Sequence, residues 1–551
     1  MNFLNSLRNM LFIATSKIAN FTVEIRMERY IALYSIANML LFGKPFFSYL
    51  WFLRQNLAIL CYFCVFAFFF SNLLFSVIFG RKTVKFLSVV ILLINSVALY
   101  FMDKFKVQLD ISMLINILET NTGEVRELID VVLVLYIIFF GILPSLLVGN
   151  YINIIYYVNP PAKLKFVGVN AAVTALVILI CVKDARIYEF LKKDNRYTVN
   201  YFIPLNYLGN GLAAIIMKIK NNLPQKIIEI DVERKEIKTK KKSLVVFILG
   251  ESARSQNFSL NGYGRDTNKF LEKYNVISFK NVQSCGVSTA NSVPCIFSHL
   301  SRSNFSLEEA RKYENLLDIF KKIGYEVSWS SNNGGCKKVC NRVGYRSTVG
   351  ISKYRLDEAL TTNFKREIKR LKNKNSFVVL NQIGSHEMHS KRYPKEFEEF
   401  KPTCRTTIDK CKYKERLNSY DNTILYSSYN ISQILKILTE ELSNDFDTML
   451  VYVSDHGEGL GEDGIWLHGM PYDKANDYVK KVPLLFWFSN GFKETYGLDE
   501  LCLRNKIDNR LSHDNLFHSL LGLFFLESRY YNKDLDIFAS CRVPHYRTLK
   551  K

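Results

Sequence analysis

The chain has 551 residues, of which 48% are hydrophobic and 23% are charged, and this composition excludes a disordered or fibrous protein. Subtracting 51 acidic residues from 73 basic residues gives a formal net charge of +22. Such a charge indicates an anionic partner, either nucleic acid or the surface of an anionic membrane. Long uncharged runs in residues 1–185 favour the membrane, because the rest of the chain has the composition of a soluble domain.

Four uncharged runs predict helices that cross a membrane: residues 55–80, 86–102, 131–162 and 166–182. Each run contains or approaches the roughly 20 residues that span about 30 Å of hydrocarbon. A weaker fifth run, residues 30–50, is interrupted by Lys44, and Pro45 is expected to end the helix there. We therefore expect five spans within residues 1–185, bridging helices and a linker in 186–242, and a soluble domain in 243–551.

The charges of the connecting loops predict the orientation of these spans. Basic residues precede the first span and lie between the second and third and between the fourth and fifth: Arg8, Lys17, Arg26, Arg29, Arg81, Lys82, Lys85, Lys163 and Lys165. The loop between the third and fourth spans is acidic instead. Because basic loops stay in the cytoplasm, we expect the N-terminus there and the soluble domain on the outer side.

The cysteines, 11 in all, agree with an outer location for the soluble domain. Six of them form close pairs separated by nine, three and six residues: Cys285 with Cys295, Cys336 with Cys340, and Cys404 with Cys411. Close pairs in a folded domain are typical of disulfides in an oxidising compartment. Metal binding is the rival interpretation, although these spacings do not match a zinc ribbon. Cys502 and Cys541 are candidates for a fourth bridge.

Beyond residue 243, short apolar runs alternate with segments of helical periodicity. The apolar runs are 244–249, 327–329, 377–380, 449–453 and 483–487, and the helical segments are 307–323, 357–371 and 422–442. This alternation predicts an α/β domain in which helices cover a parallel sheet. Active sites of such sheets lie beyond the carboxyl ends of the strands. Polar residues that directly follow the apolar runs are therefore candidate site residues.

Three of these runs are followed by residues that bind metals. Glu251 follows the first run, and His386 follows the third. Asp455 and His456 follow the fourth, and His468 comes shortly after them. Carboxylates and imidazoles that meet at one sheet edge form a ligand set that Zn²⁺ accepts. We therefore expect a zinc site at this edge.

A candidate nucleophile lies in the Ser/Thr-rich loop between Cys285 and Cys295. A free hydroxyl is a poor nucleophile at neutral pH, but metal coordination lowers its pKa and supplies an alkoxide. If the two cysteines are joined, the loop is fixed and one of its hydroxyls is held rigidly against the metal.

Together these segments resemble the lipid A phosphoethanolamine transferases. The resemblance runs from the first span to about residue 525 and is carried by residues 250–254 (GESAR), 257–263 (NFSLNGY), the 285–295 loop, 384–386 (GSH), 454–458 (SDHGE) and 468–472 (HGMPY). It implies an α-helical five-span anchor in the inner membrane of a Gram-negative bacterium. It also implies a periplasmic α/β domain of alkaline-phosphatase/sulfatase-like fold, with a mostly parallel central sheet and helices on both faces.

The resemblance further implies a zinc-dependent, ping-pong transfer of phosphoethanolamine from phosphatidylethanolamine to lipid A by a monomer, without nucleic acid. Thr289 matches the family's nucleophile, which becomes phosphorylated and also binds the zinc with Glu251, Asp455 and His456. One zinc is expected to bind tightly, and a second to join during catalysis.

The resemblance also assigns substrate contacts. His386 and His468 match histidines that contact the phosphoryl group or a second zinc, and Lys337 matches a lysine that lines the same pocket. Three residues match the family's head-group site in the loop after the third span: Asn116, Thr120 and Glu124. Their spacing of four residues places all three on one helix face.

The sequence departs from the family at two places near the expected site. Asn381 stands where relatives often have histidine, so a ligand of a second zinc is missing there. Glu387, Met388 and His389 replace the usual Gly-Pro after the GSH motif, which makes His389 an additional candidate without an assigned role.

The acceptor stays open, since a core sugar, a protein or a glycan suits the same chemistry. A lipoteichoic-acid-type glycerol-phosphate transferase shares the five spans and the threonine nucleophile, although the NFSLNGY segment and the paired cysteines favour the phosphoethanolamine branch. A sulfatase would need a Cys-x-Pro-x-Arg segment, which this sequence lacks. A catalytically inactive membrane receptor is disfavoured because every proposed ligand is present.

Overall fold

The computed structural model describes residues 22–52, 57–105, 107–119, 129–157, 160–184, 195–222, 226–235, 239–349, 356–371, 373–406 and 408–542. The chain folds as two compact units, Met1–Met217 and Lys218–Lys551. The unit boundary therefore lies inside the segment that the sequence suggested as a bridge.

The first unit is helical. Its helices are α1 (Met27–Phe42), α2 (Lys44–Phe52), α3 (Leu57–Ile78), α4 (Val84–Lys104), α5 (Ile111–Glu119), α6 (Val131–Tyr151, with a π-helical stretch at Ile137–Ile142), α7 (Pro160–Lys183) and α8, which begins at Leu205 and ends at Asn222. A 3-10 helix covers Asn195–Tyr201, and two short parallel strands pair Val23–Arg26 with Ile152–Ile155.

Four of these helices, α3, α4, α6 and α7, are long and apolar enough to cross a membrane, as the sequence predicted. The weaker fifth span is broken, because α1 and α2 meet at an angle of 60°. The bend lies at Gly43, where a Cβ atom would be 2.2 Å from the carbonyl oxygen of Met39. The first helix thus ends before Pro45, which lies in the first turn of α2, a position that proline tolerates.

The charge of Lys44, which interrupts this fifth span, is paired. Its Nζ lies 2.7 Å from Oδ2 of Asp103, and the hydroxyl of Tyr136 donates to the same oxygen at 2.6 Å. A paired and hydrogen-bonded charge is far less costly in an apolar surrounding than an isolated one.

The second unit is built around one eight-stranded sheet. Its strands are β1 (Lys242–Gly250), β2 (Ile277–Gln283), β3 (Glu326–Ser331), β4 (Gly344–Ser347), β5 (Ser376–Asn381), β6 (Phe446–Ser454), β7 (Lys481–Phe488) and β8 (Leu511–Ser512). They lie in the order β8-β2-β7-β6-β1-β5-β3-β4. All neighbours pair in parallel except at β7, which is antiparallel to both β2 and β6. The sheet is therefore mostly parallel, as predicted.

Helices cover both faces of this sheet. They are α9 (Thr289–Ile296), α10 (Leu307–Ala310), α11 (Leu316–Lys322), α12 (Glu358–Leu371), α13 (Tyr413–Lys436, continued by a π-helical turn at Ile437–Glu441), α14 (Asp477–Lys480), α15 (Asn490–Tyr496), α16 (Glu500–Arg504) and α17 (Asp514–Leu523). Short strand pairs join Gly459–Leu460 with Trp466–Leu467 and Glu233–Arg234 with Leu526–Glu527.

Alternate residues of β1 enter two separate hydrophobic cores. Val245, Phe247 and Leu249 pack with α11 and α17, whereas Leu244, Val246 and Ile248 pack with α12 and α13. A strand buried on both faces forms a continuous apolar run, which is why the sequence revealed it. The two cores hold the carboxyl ends of β1 and β6 rigidly beside each other.

Four disulfides brace the loops of the second unit. The structure joins the three close pairs of the sequence, Cys285–Cys295, Cys336–Cys340 and Cys404–Cys411, and it also joins Cys502 to Cys541.

Candidate active site

The candidate site lies at the carboxyl ends of β1 and β6. Gly250, the last residue of β1, is in register with Ser454, the last residue of β6. Glu251 and Asp455 therefore leave the sheet side by side, and both are buried. Thr289 reaches the same point as the first residue of α9, which follows β2 through the loop closed by the Cys285–Cys295 disulfide.

The hydroxyl of Thr289 faces two of the predicted metal ligands. It donates a hydrogen bond of 3.0 Å to Oε2 of Glu251 and lies 3.3 Å from Nε2 of His456. The same carboxylate oxygen of Glu251 accepts a 2.7 Å bond from the side-chain amide of Asn333. The predicted nucleophile and the predicted ligands are thus within direct contact.

The tautomer of His456 leaves one ring nitrogen free to bind a cation. Its Nδ1 lies 2.8 Å from the carbonyl oxygen of Gly457, which only accepts, so Nδ1 carries the proton. Its Nε2 lies 3.3 Å from Oε1 of Glu251 and 3.3 Å from Oδ2 of Asp455. That buried Asp455 oxygen has no hydrogen-bond partner among the described residues. A buried carboxylate oxygen without a donor is suited to binding a cation.

The electrostatics of these groups agree with that interpretation. Burial and the adjacent charge of Glu251 raise the pKa of Asp455 well above its usual value. Burial opposes ionisation of Glu251 too, but the nearby imidazoles, that of His456 first, lower its pKa to about 2. Burial and the neighbouring His468 lower the pKa of His456 to about 4. A divalent cation would let both carboxylates ionise beside a neutral imidazole.

His468 borders the site together with a buried carboxylate. The ring centroids of His456 and His468 are 4.3 Å apart, and donor atoms of Glu251, His456 and His468 lie within 4.8 Å of one another. Nδ1 of His468 is 3.2 Å from Oε1 of Glu458. Although burial acts against it, the charge of Glu458 raises the pKa of His468 to about 9. The charge of Glu458 therefore favours the protonated form of His468.

His386 and Lys337, the other predicted contacts, lie on neighbouring loops. Nδ1 of His386 donates to the carbonyl of Glu387 at 2.8 Å, and its ring centroid is 5.8 Å from that of His468. Lys337 lies in the small loop closed by Cys336 and Cys340, where its backbone adopts a positive φ of 49°.

Two residues at the site have roles that the sequence did not assign. Asn333, which holds Glu251, lies two residues beyond β3, in the region where sites at carboxyl strand ends are expected, among several other polar residues. Glu458, which holds His468, belongs to the SDHGE segment.

Asn381, which stands where relatives often have histidine, has a structural contact instead. Its Nδ2 donates to Oγ of Ser331 at 3.0 Å and to the carbonyl of Gly335 at 3.1 Å. It thus braces the loop that presents Asn333.

His389 is buried, and its Nε2 lies 3.4 Å from Oε2 of Glu387 and 4.0 Å from Oε2 of Glu458. Of the predicted head-group residues, Asn116 belongs to α5. The side chain of Asn116 and the whole of Thr120 and Glu124 lie outside the described residues.

Two family models match the chain. Residues 243–525 match the model described as "Sulfatase", and residues 67–218 match the model described as "Phosphoethanolamine transferase EptA/EptB". The Sulfatase model covers most of the second compact unit, and the EptA/EptB model covers most of the helical unit.

Known proteins and structures agree with these matches. The chain is 37% identical to phosphoethanolamine transferase EptA of Escherichia coli K12 over 83% of its own length and 85% of that protein. It matches the structure of the integral membrane lipooligosaccharide phosphoethanolamine transferase EptA from Neisseria meningitidis with a TM-score of 0.86 and 32% identity, covering 93% of this chain and 98% of that one. The C-terminal periplasmic domain of phosphoethanolamine transferase EptC from Campylobacter jejuni matches with a TM-score of 0.51 and 39% identity. The match covers 57% of this chain and 97% of that domain.

The membrane helices, the sulfatase-like sheet, the cluster around Thr289 and these matches over most of the chain have one explanation. The protein is a multi-pass membrane transferase that belongs to the lipid A phosphoethanolamine transferase family.

Proposed function

We propose that the protein transfers phosphoethanolamine from phosphatidylethanolamine to lipid A through a phosphorylated Thr289, with release of diacylglycerol. The observation that carries this proposal is the 3.0 Å hydrogen bond from the Thr289 hydroxyl to Glu251, beside Nε2 of His456. A hydroxyl on a rigid, disulfide-closed loop against a carboxylate and an imidazole is arranged for nucleophilic attack.

The donor set fits one Zn²⁺ held by Glu251, Asp455, His456 and Thr289. The free Nε2 of His456 and the unpartnered Oδ2 of Asp455 are the atoms that such a site requires. A bound zinc lowers the pKa of a coordinated hydroxyl and stabilises negative charge on a phosphoryl oxygen.

The residues of the chain account for the movement of protons. As the bond between Thr289 Oγ1 and phosphorus forms, the bond from phosphorus to the diacylglycerol oxygen breaks. The hydrogen bond to Glu251 orients the hydroxyl, and its proton is lost to solvent, because the low pKa of that carboxylate keeps it from holding a proton. His468, whose protonated form Glu458 stabilises, donates a proton to the departing oxygen. In the second half-reaction an acceptor oxygen attacks the same phosphorus, the bond from phosphorus to Thr289 Oγ1 breaks, and Thr289 and His468 are both reprotonated from solvent.

The remaining predicted residues bind the substrates in this proposal. His386 and Lys337 contact the phosphoryl group, and Asn116, Thr120 and Glu124 seat the ethanolamine head group. The enzyme works as a monomer in the inner membrane with its second unit in the periplasm. Two observations support that location: the Campylobacter domain that this unit resembles is periplasmic, and the four disulfides suit an oxidising compartment.

The test is intact-mass analysis of the purified enzyme after incubation with donor alone. Wild type should carry a phosphoethanolamine adduct at Thr289, and Thr289→Ala should lose both the adduct and the transfer by orders of magnitude while keeping its fold. An adduct on Ser288 or Ser292 would contradict the assignment of the nucleophile, and a glycerol-phosphate adduct would contradict the donor. Mass spectrometry of lipid A and core from cells with and without the gene then identifies the acceptor.

A further inference from the structure

Two cations lie against the ring of Tyr472, a residue to which the function above gives no role. The guanidinium carbon of Arg302 is 3.3 Å from the ring centroid, and Nζ of Lys480 is 4.9 Å from it. Arg302 follows α9, whereas Lys480 is the last residue of α14. Two separate elements therefore bring positive charge to one aromatic ring.

This ring is attached to the loop that carries the nucleophile. The hydroxyl of Tyr472 donates to the carbonyl of Ser284 at 3.0 Å, and the backbone N–H of Gly469 donates to the carbonyl of Val287 at 2.6 Å. Tyr472 also packs in a small apolar cluster with Val287. The segment that begins at His468 thus lies along the Cys285–Cys295 loop, so the two cations border the loop of Thr289.

The two cations have acidic residues nearby but no directly paired carboxylate within the described part of the chain. Among the described residues, no carboxylate lies within ion-pair distance of Arg302 or Lys480. Asp514 accepts from the backbone N–H of Arg302 at 3.0 Å, and Asp477 pairs with Lys481 at 2.9 Å. Burial lowers the pKa of Lys480, the charge of Asp477 raises it, and the charge of Arg302 lowers it by less than Asp477 raises it, while Asp473 also raises it. Arg302 is exposed and Lys480 is half-buried, so both are accessible.

A phosphate group is the ligand that suits this arrangement. Two close cations without a directly paired carboxylate gain most from an anion that bears more than one charged oxygen. A guanidinium above an aromatic ring keeps its N–H donors for bidentate contacts with phosphate, and an ammonium adds a point charge.

We propose that Arg302 and Lys480 form a phosphate site for the acceptor lipid, which orients lipid A beside the phosphorylated Thr289 for the second half-reaction. This inference rests on the proposed function. The same chemistry could be supplied by the phosphodiester of the donor or by anionic phospholipids of the membrane, and the experiment separates these sources.

The experiment compares R302Q, K480Q and the double variant with wild type, as full-length enzymes in detergent. The matched control is K273Q, because Nζ of Lys273 also lies 4.9 Å from a tyrosine ring, that of Tyr274, but at the opposite end of β2. Each enzyme is assayed for the Thr289 adduct formed from short-chain donor alone, and then for transfer to lipid A as the acceptor concentration varies. Binding to vesicles of phosphatidylglycerol is measured in parallel.

We expect unchanged adduct formation and vesicle binding in every variant. The KM for lipid A should rise about three- to tenfold in each single variant, and further in the double variant, with little change in kcat. K273Q should behave as wild type. A further variant, R302K, keeps the positive charge and should retain part of the affinity for lipid A that R302Q loses.

Four outcomes overturn the inference. An equal loss in adduct formation would assign the cations to the donor, and a loss confined to vesicle binding would assign them to the membrane. If wild type forms the adduct and the variants keep the acceptor KM, this inference fails while the proposed function stands. If wild type forms no adduct, the proposed function fails first and this inference fails with it.

Discussion

The backbone N–H of Cys285 donates a hydrogen bond of 3.1 Å to Nδ1 of His513. The other ring nitrogen, Nε2, donates to the carbonyl of Ser454 at 3.0 Å. His513 is completely buried, so its neutral imidazole uses both nitrogens to tie the loop before Thr289 to the strand end before Asp455. The relative position of nucleophile and proposed ligands therefore depends on a side chain whose hydrogen bonds go to the backbone on both sides of the site.

His513→Gln is expected to slow adduct formation about ten- to hundredfold at an unchanged KM for short-chain donor, because small errors in placing the nucleophile are costly. Loss of one of its two hydrogen bonds should also cost about 1–3 kcal/mol of stability. The control is His518→Gln in α17, the helix that begins directly after His513. His518 is also buried, and its Nδ1 accepts from the backbone of Asn532, away from the site. Similar destabilisation and similar rates in both variants would contradict a positioning role.

His513 should also make stability depend on pH. Burial lowers its pKa to about 3, whereas a histidine in the unfolded chain has a pKa of about 6.5. As the pH falls below that value, the unfolded chain takes up a proton that the native imidazole excludes. Native stability should then fall by about 1.4 kcal/mol per pH unit from this group, or about 2 kcal/mol by pH 5. Unfolding measured between pH 7 and pH 5 should show a shallower decline in His513→Gln, and identical slopes would count against the assignment.

The strands of the sheet differ in how well the sequence predicted them. β1, β5 and β6 are buried on both faces and form continuous apolar runs, so they were predictable. β2 was missed because polar residues such as Lys280 and Asn281 interrupt its seven positions. The reversed direction of β7 was also unpredictable, since an apolar run carries no sign of its orientation.

Helix ends were less predictable than helices. The periodic segment 307–323 is two helices, α10 and α11, because Asn315 caps the second one. Its side chain accepts from the backbone N–H groups of Leu317 and Asp318, and the Asp318 side chain accepts from the backbone of Asn315 in return. That reciprocal cap starts a new helix where the apolar periodicity continues unbroken.

The site was predictable where ligands directly follow buried strands, as Glu251, Asp455 and His456 do. Asn333 was not singled out because β3 is followed by a run of polar residues, and the sequence does not say which of them turns toward Glu251. The arrangement of two cations around the ring of Tyr472 was also not predictable, since Arg302 and Lys480 are far apart in the sequence.

Asp455→Asn should lose zinc and activity together. The amide keeps an oxygen for the backbone N–H groups of Ser252 and His456, now at 3.2 and 2.8 Å, so the fold should survive. A neutral amide is a poor zinc donor, and we expect affinity to fall about hundredfold or more. Elemental analysis after dialysis measures the bound zinc.

Asp421→Asn is the matched control for that variant, since it alters another buried carboxylate, one bound to Asn257, Tyr263 and Arg265 instead. It should lose stability but keep zinc. Retention of one equivalent of zinc by Asp455→Asn at unchanged affinity would refute the ligand set.

Thiol counting tests the disulfides and the compartment together. Four bridges use eight of the 11 cysteines, so denatured, non-reduced protein should show three free thiols. Cys502 and Cys541 are 39 residues apart and close the longest loop, so their removal should cost about 4 kcal/mol, against about 2 kcal/mol for Cys336–Cys340, with its separation of 4. Nine or more free thiols in protein from its native membrane would contradict an outer location.

Glu124→Gln tests the predicted head-group site. Glu124 itself lies outside the described residues. The variant keeps the shape of the side chain but removes a charge-assisted contact with the ammonium of the donor. Donor binding should weaken by about 1–2 kcal/mol, which is about five- to thirtyfold in KM.

Short-chain donor in detergent is the substrate to use, because access from the bilayer then no longer limits the rate. A donor whose amine is acetylated serves as the control, since it has no ammonium for Glu124 to bind and should be used equally by wild type and variant. If Glu124→Gln kept wild-type activity on both lipid and short-chain donors, residues 116, 120 and 124 would form only the polar face of a helix at the membrane surface.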